Sequence, residues 1–185
     1  GLDPAFMADR FFPEKIALWG KASADWYGVY GNDLSKCEIT GKVQHGSLYH
    51  FMRSKSAAAG NKDTVVYLAN LFKNLKRPLC AYYTGDLEYC LLDEVLDIAG
   101  NFPDKQFIIK LHPFDPADAD KLNDERGGRY PNVRFVKKAD TVELIDKSTL
   151  VITSLFSSAA LDAVILSKPV IALNFYKRDD LVPFA

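Results

Sequence analysis

Apolar residues in this chain alternate between short unbroken runs and stretches with helical spacing. Residues 16–20 form an apolar run closed by Gly20 and read as a strand, and residues 22–30 read as a short helix. Residues 37–40 form a second strand that Gly41 ends, and residues 47–53 read as helical. The run 64–69, Thr-Val-Val-Tyr-Leu-Ala, predicts a strand. Residues 70–84, with Lys73, Lys76, Arg77 and Pro78, read as a loop whose length in a compact domain makes it a functional candidate.

The clearest helix is predicted over residues 86–99, where Leu87, Leu91, Leu92, Val95, Leu96 and Ile98 recur with helical spacing before the stop Gly100-Asn101. A strand follows over 106–111, ended by His112-Pro113. A polar surface helix is expected from Pro116 to Arg126, with Asp115 as its cap and Gly127-Gly128 as its end. Residues 132–136 read as a strand, and Thr141 is expected to cap a short helix through Asp146. A strand at 150–153, a helix from Ala159 to Leu166 opened by Ser157, and a strand at 169–173 complete the pattern.

Strand and helix therefore alternate with short connections through the second half. Strands joined by crossover helices are parallel, and a parallel sheet is covered on both faces. Near-continuous apolar strands such as Phe107-Ile108-Ile109 fit that burial. The expectation is an α/β fold, a Rossmann-like doubly wound parallel sheet, with residues 7–185 as one domain. Gly1 to Phe6, ahead of Met7, read as an expression-vector remnant.

Composition narrows the function classes. The net charge is −1 over 185 residues, so no global basic field points to nucleic acid or an anionic membrane. Three cysteines, Cys37, Cys80 and Cys90, lack CxxC spacing, which argues against a disulfide framework or zinc site and fits a reducing compartment. No apolar run reaches the roughly 20 residues of a membrane span, and no signal peptide is evident, so the expected location is cytoplasmic.

In an open parallel sheet, ligands bind beyond the carboxyl ends of the strands. Two segments fall there. In Lys110-Leu111-His112-Pro113, strand alternation puts Lys110 and His112 on one face, and Pro113 ends the ladder. His112 at that edge can donate to a phosphate oxygen or transfer a proton, or it can merely cap a loop. In the second segment, Thr153 to Ser158, the N–H groups of Ser158 and Ala159 open a helix and can meet an anion, with hydroxyls from Ser157 and Ser158. Ser157 can equally be a simple N-cap. Asp162, the lone charge in an apolar helix, can accept from ribose hydroxyls or serve as an ordinary helix-dipole carboxylate.

Lys110-Leu111-His112-Pro113, followed by Ser157-Ser158, Asp162 and Lys168-Pro169-Val170-Ile171, resembles the C-terminal domain of teichoic-acid-type CDP-glycerol glycerophosphotransferases. It is also similar to capsule-polysaccharide glycosyltransferases and UDP-N-acetylglucosamine 2-epimerases, which share the GT-B fold. The resemblance implies that this chain is one half of a GT-B fold holding the nucleotide of an activated donor. His112 would contact the diphosphate and assist its departure. Ser157 and Ser158 would hold the pyrophosphate, with Lys110 and Ala159 beside it, and Asp162 would hold the ribose. The implied activity is glycerophospho- or glycosyl transfer in cell-surface polymer synthesis, without cofactor or obligatory metal. The acceptor domain, its base and an acceptor at the membrane belong to a longer protein, peripheral to that membrane. The chain alone is expected to bind nucleotide weakly and turn over nothing. The alternatives are an epimerase-like domain and a nucleotide-binding or interaction module without chemistry.

Other features carry blander expectations. His45 and His50 lack a third metal ligand and are assigned surface or capping roles. Trp19, Trp26, Tyr27 and Tyr30 are assigned to core and domain-edge packing, and the mixed run Lys177-Arg178-Asp179-Asp180 to solvent.

Overall fold

The computed structural model describes residues 14–29, 33–42, 45–54, 63–69, 85–154 and 158–173. The expectations for Tyr30, for the 70–84 loop with Cys80, for Ser157 and for the run 177–180 lie outside them, as does the side chain of Trp26. The chain forms two compact units, Gly1–Lys55 and Ser56–Ala185.

In the first unit, β1 (Ile16–Leu18) and β2 (Cys37–Ile39) pair in parallel, with Ile16 opposite Cys37. The connection runs through helix α1 (Lys21–Val29) and a single 3-10 turn at Leu34–Lys36, which the Asp33 carboxylate caps by accepting from Ser35 N. Gly41 follows at φ 78°, a left-handed conformation that glycine adopts without a Cβ clash. Helix α2 spans His45–Ser54. Trp19, assigned from sequence to packing, is half exposed, with the Lys42 ammonium 5.2 Å from its ring centroid.

The second unit is an α/β domain built on a five-stranded parallel sheet. Its elements are β3 (Thr64–Ala69), α3 (Gly85–Asn101), β4 (Gln106–Leu111), α4 (Ala119–Arg126), β5 (Val133–Val136), α5 (Thr141–Lys147), β6 (Leu150–Ser154), α6 (Ala159–Ile165) and β7 (Val170–Leu173). The strand order is β5-β4-β3-β6-β7. The chain thus builds outward from β3 on one side, then returns to place β6 on the other. This is the Rossmann-like, doubly wound order.

Every residue of β3 is buried, as expected for a central parallel strand covered on both faces. Alternation sorts its side chains. Val65, Tyr67 and Ala69 join Phe107, Ile109 and Leu111 of β4 under α3 and α4, where Leu92, Val95, Leu96, Ala99 and Leu122 are buried. Val66 and Leu68 face the other way, toward Ile145 of α5 and Ala163 of α6. From Leu91 onward the α3 stripe is nearly as read from sequence, with one correction, while the side chain of Leu87 lies outside the described residues. Ile98 is 44% exposed, and Ala99 takes the buried position in its place. The buried stripe advances four residues at a time, from Leu91 through Val95 to Ala99, and Ile98 falls off its edge.

Two capping expectations are corrected, and the expected helix end at Gly127 stands. Helix α4 begins at Ala119, and its cap is Asp118, whose carboxylate accepts from Asp120 N and Lys121 N. Asp115 caps a tight turn instead, accepting from Ala117 N at 2.8 Å. Helix α5 is capped by Asp140, which accepts from Glu143 N at 2.9 Å, so Thr141 is the first helical residue. Gly127 ends α4 at φ −60°, not left-handed. It is needed for space: a Cβ there would lie 2.5 Å from the Asn123 carbonyl oxygen. After α6 the left-handed residue is Ser167, at φ 56°. Ser167 N donates to Val164 O and Lys168 N to Ala163 O, which closes the helix end. The Lys168 ammonium donates to Ser148 O at 3.0 Å and ties this turn to the end of α5.

Candidate functional site

The carboxyl edge of the sheet follows from the strand register. Leu111 at the end of β4 lies beside Ala69 at the end of β3, and Leu68 lies beside Thr153 of β6. His112 and the segment leading into α6 therefore leave the same edge, with β3 alone between their strands. Strand spacing separates β4 from β6 by roughly 10 Å. This is the point where the chain's winding direction reverses, where open α/β sheets form their crevice.

His112 opens a tight turn. Asp115 N donates to His112 O at 2.9 Å, and Phe114 N donates to His112 Nδ1 at 3.2 Å. With Nδ1 accepting, the neutral ring carries its proton on Nε2, a donor suited to an anionic oxygen. Burial pulls the His112 pKa below its ordinary value, the Lys110 charge pulls it further, and Asp115 opposes both. At neutral pH His112 is an uncharged donor. The ring of Phe114, 86% exposed, lies 5.6 Å from the His112 ring, centroid to centroid.

Lys110 is 4% exposed. Its ammonium donates to Leu111 O and to Lys137 O, both at 2.8 Å, and so bridges the ends of β4 and β5. Burial pulls its pKa down, against the Asp140 charge. Lys137 extends the bridging by donating to the carbonyls of Asp115 and Ala117. Asp115 is 1% exposed, and its Oδ2 has no hydrogen-bond partner among the described residues.

Across β3, Thr153 and Ser154 are buried polar residues at the end of β6. Thr153 Oγ1 donates to Ser154 O at 2.7 Å. Ser158 is the N-cap of α6 but makes no side-chain capping bond, and its backbone is helical. Ala159 is the first helical residue, and Asp162 lies in the first turn, half-buried. Lys110 and His112 are thus brought together, and Ser158, Ala159 and Asp162 form a second group across β3.

Sequence reasoning passed over Lys137 and Lys138. With Lys110, Pro113, Ala139 and Thr141 they line a cavity of about 580 Å³ beyond β4 and β5. The available signal was a pair of lysines placed directly after an apolar strand, at the edge where ligands bind. Among the described residues no three His, Cys, Asp or Glu side chains gather as a metal site requires, and no helix is long and apolar enough to cross a membrane. No family model matches the chain, and neither does any curated protein.

Proposed function

We propose that the Ser56–Ala185 unit binds the nucleotide diphosphate of an activated donor, CDP-glycerol or a nucleotide sugar, as the donor half of a GT-B transferase in cell-surface polymer synthesis. The observation that carries this reading is the reversal of strand order at β3, with His112 leaving one flank and the Ser158-Ala159 segment the other at one carboxyl edge.

In this reading an acceptor oxygen attacks the donor and the nucleotide departs carrying the developing negative charge. His112 meets that charge as a neutral donor through Nε2–H. Its turn is already held by the bonds from Phe114 N and Asp115 N, so little reorganisation accompanies the reaction. Lys110 adds a fixed positive charge nearby. Asp162, half-buried in the first turn of α6, meets the ribose hydroxyls. The acceptor and its base come from another domain, so the chain alone binds nucleotide without turnover.

Calorimetry with CDP, CMP, UDP and UMP tests the reading. One diphosphate is expected to bind more tightly than its monophosphate, and His112→Ala is expected to weaken that preference. Failure of all four to bind or to raise the melting temperature would end it.

A further inference from the structure

We propose that the cavity beyond the carboxyl ends of β4 and β5 is a second anion subsite, in which Lys110, Lys137 and Lys138 hold a phosphate-type oxyanion. It shares Lys110 with the proposed nucleotide site and rests on nothing else in that reading. It lies beside β5, away from the β3–β6 reversal where the donor diphosphate is placed.

Three lysines share this cavity without a carboxylate partner among the described residues. Lys105, Lys121 and Lys147 each meet a carboxylate. Lys110, Lys137 and Lys138 form no ion pair among the described residues, although all three line one cavity. Lys110 is 4% exposed, and a buried charge is costly unless it is paired. Backbone carbonyls hold it in position, but they carry partial charges only. The acid whose charge reaches Lys110 is Asp140, and its Oδ1 is already committed to the Glu143 amide as the α5 cap.

Donor counting specifies the guest. An ammonium has three N–H groups. Lys110 and Lys137 each direct two to backbone carbonyls, which fixes both nitrogens and leaves one donor apiece. Lys138 is exposed and makes no hydrogen bond among the described residues, so it closes on a guest without breaking structure. Thr141 lines the same cavity, and its hydroxyl can add a neutral donor. A tetrahedral oxyanion has enough oxygens to meet all of these groups at once.

Nuclear magnetic resonance titration of the full chain with inorganic phosphate, against sodium chloride at matched ionic strength, tests the subsite. Saturable shifts of the Ala139 and Thr141 amides are expected with phosphate and not with chloride. Lys138→Glu is expected to weaken the binding about tenfold, on the scale of a charge-assisted contact turned repulsive. Lys138 makes no bond among the described residues, so this variant retains its fold even where Lys110→Met fails to. Absence of saturable shifts at Ala139 and Thr141, or identical affinity in Lys138→Glu, would overturn the proposal. Phosphate shifts confined to His112, Ser158 and Ala159 would also overturn it and leave the nucleotide reading standing. Shifts at Ala139 and Thr141 with no response to CDP or UDP would do the reverse. When both ligands bind, displacement of phosphate by CDP or UDP identifies a group of the same ligand, and simultaneous binding identifies a separate anion.

Discussion

The side-chain amide of Asn123 pairs with the backbone of Phe135 as a neighbouring strand would. Asn123 Nδ2 donates to Phe135 O at 3.0 Å, and Phe135 N donates to Asn123 Oδ1 at 2.8 Å. Phe135 lies on β5, at the edge of the sheet, where outward-facing backbone groups have no further strand to meet among the described residues. One residue of α4 thus supplies both partners and sets the helix against the edge. Asn123→Ala is expected to lower unfolding free energy by about 1–3 kcal/mol, because two partly buried backbone groups lose their partners. Urea denaturation measures it, and an unchanged midpoint would contradict the pairing.

Ser167 makes the opposite prediction. Its left-handed backbone, φ 56°, carries a Cβ penalty that glycine avoids. Ser167→Gly should stabilise the domain by about 1 kcal/mol, since the bonds closing α6 are made by the backbone. A loss of stability on the same denaturation curve would show that the Ser167 side chain contributes more than its strain.

The caps separate into two kinds. Asp118→Ala and Asp140→Ala remove carboxylates that accept helix amides, and each should cost about 1 kcal/mol. Ser158 makes no capping bond, so Ser158→Ala should change stability by no more than about 0.5 kcal/mol. In the proposed donor site the same change should still weaken diphosphate binding. Thermal melts with and without nucleotide separate the two effects.

His112 titrates below its ordinary value of 6.5. The folded ring therefore takes up a proton less readily than the unfolded one, and between the two values the unfolded chain holds more protons. Stability rises with pH through that window. The contribution of the neutral ring is complete above 6.5 and is lost as pH falls from there toward the folded value. Lys110→Met should move the His112 titration upward and Asp115→Asn should move it downward, as followed by the imidazole resonances. Shifts of the opposite sign would refute this electrostatic account.

Much of the second unit is legible in the amino-acid pattern, and the reason is local. The unbroken run from Val65 to Ala69 can satisfy its side chains only in a strand covered on both faces. The helical spacing of Leu91, Leu92, Val95 and Leu96 allows one buried stripe. Caps are harder to read because acids cluster. Asp115 and Asp118 both precede α4, and only the observed turn at Ala117 decides between them. The site is half legible. His112 and Lys110 follow from strand alternation and a proline stop. The lysine cavity depends on β5 lying beside β4, a pairing between separated segments that no local rhythm encodes.

The position of β3 also bears on how the domain is made. Its neighbour on one side, β4, is the next strand synthesised, but its neighbour on the other, β6, emerges only after α4, β5 and α5. On the ribosome the apolar flank of β3 therefore stays uncovered while the intervening chain is produced, and that interval is when a nascent chain of this topology is exposed to wrong partners and to chaperones.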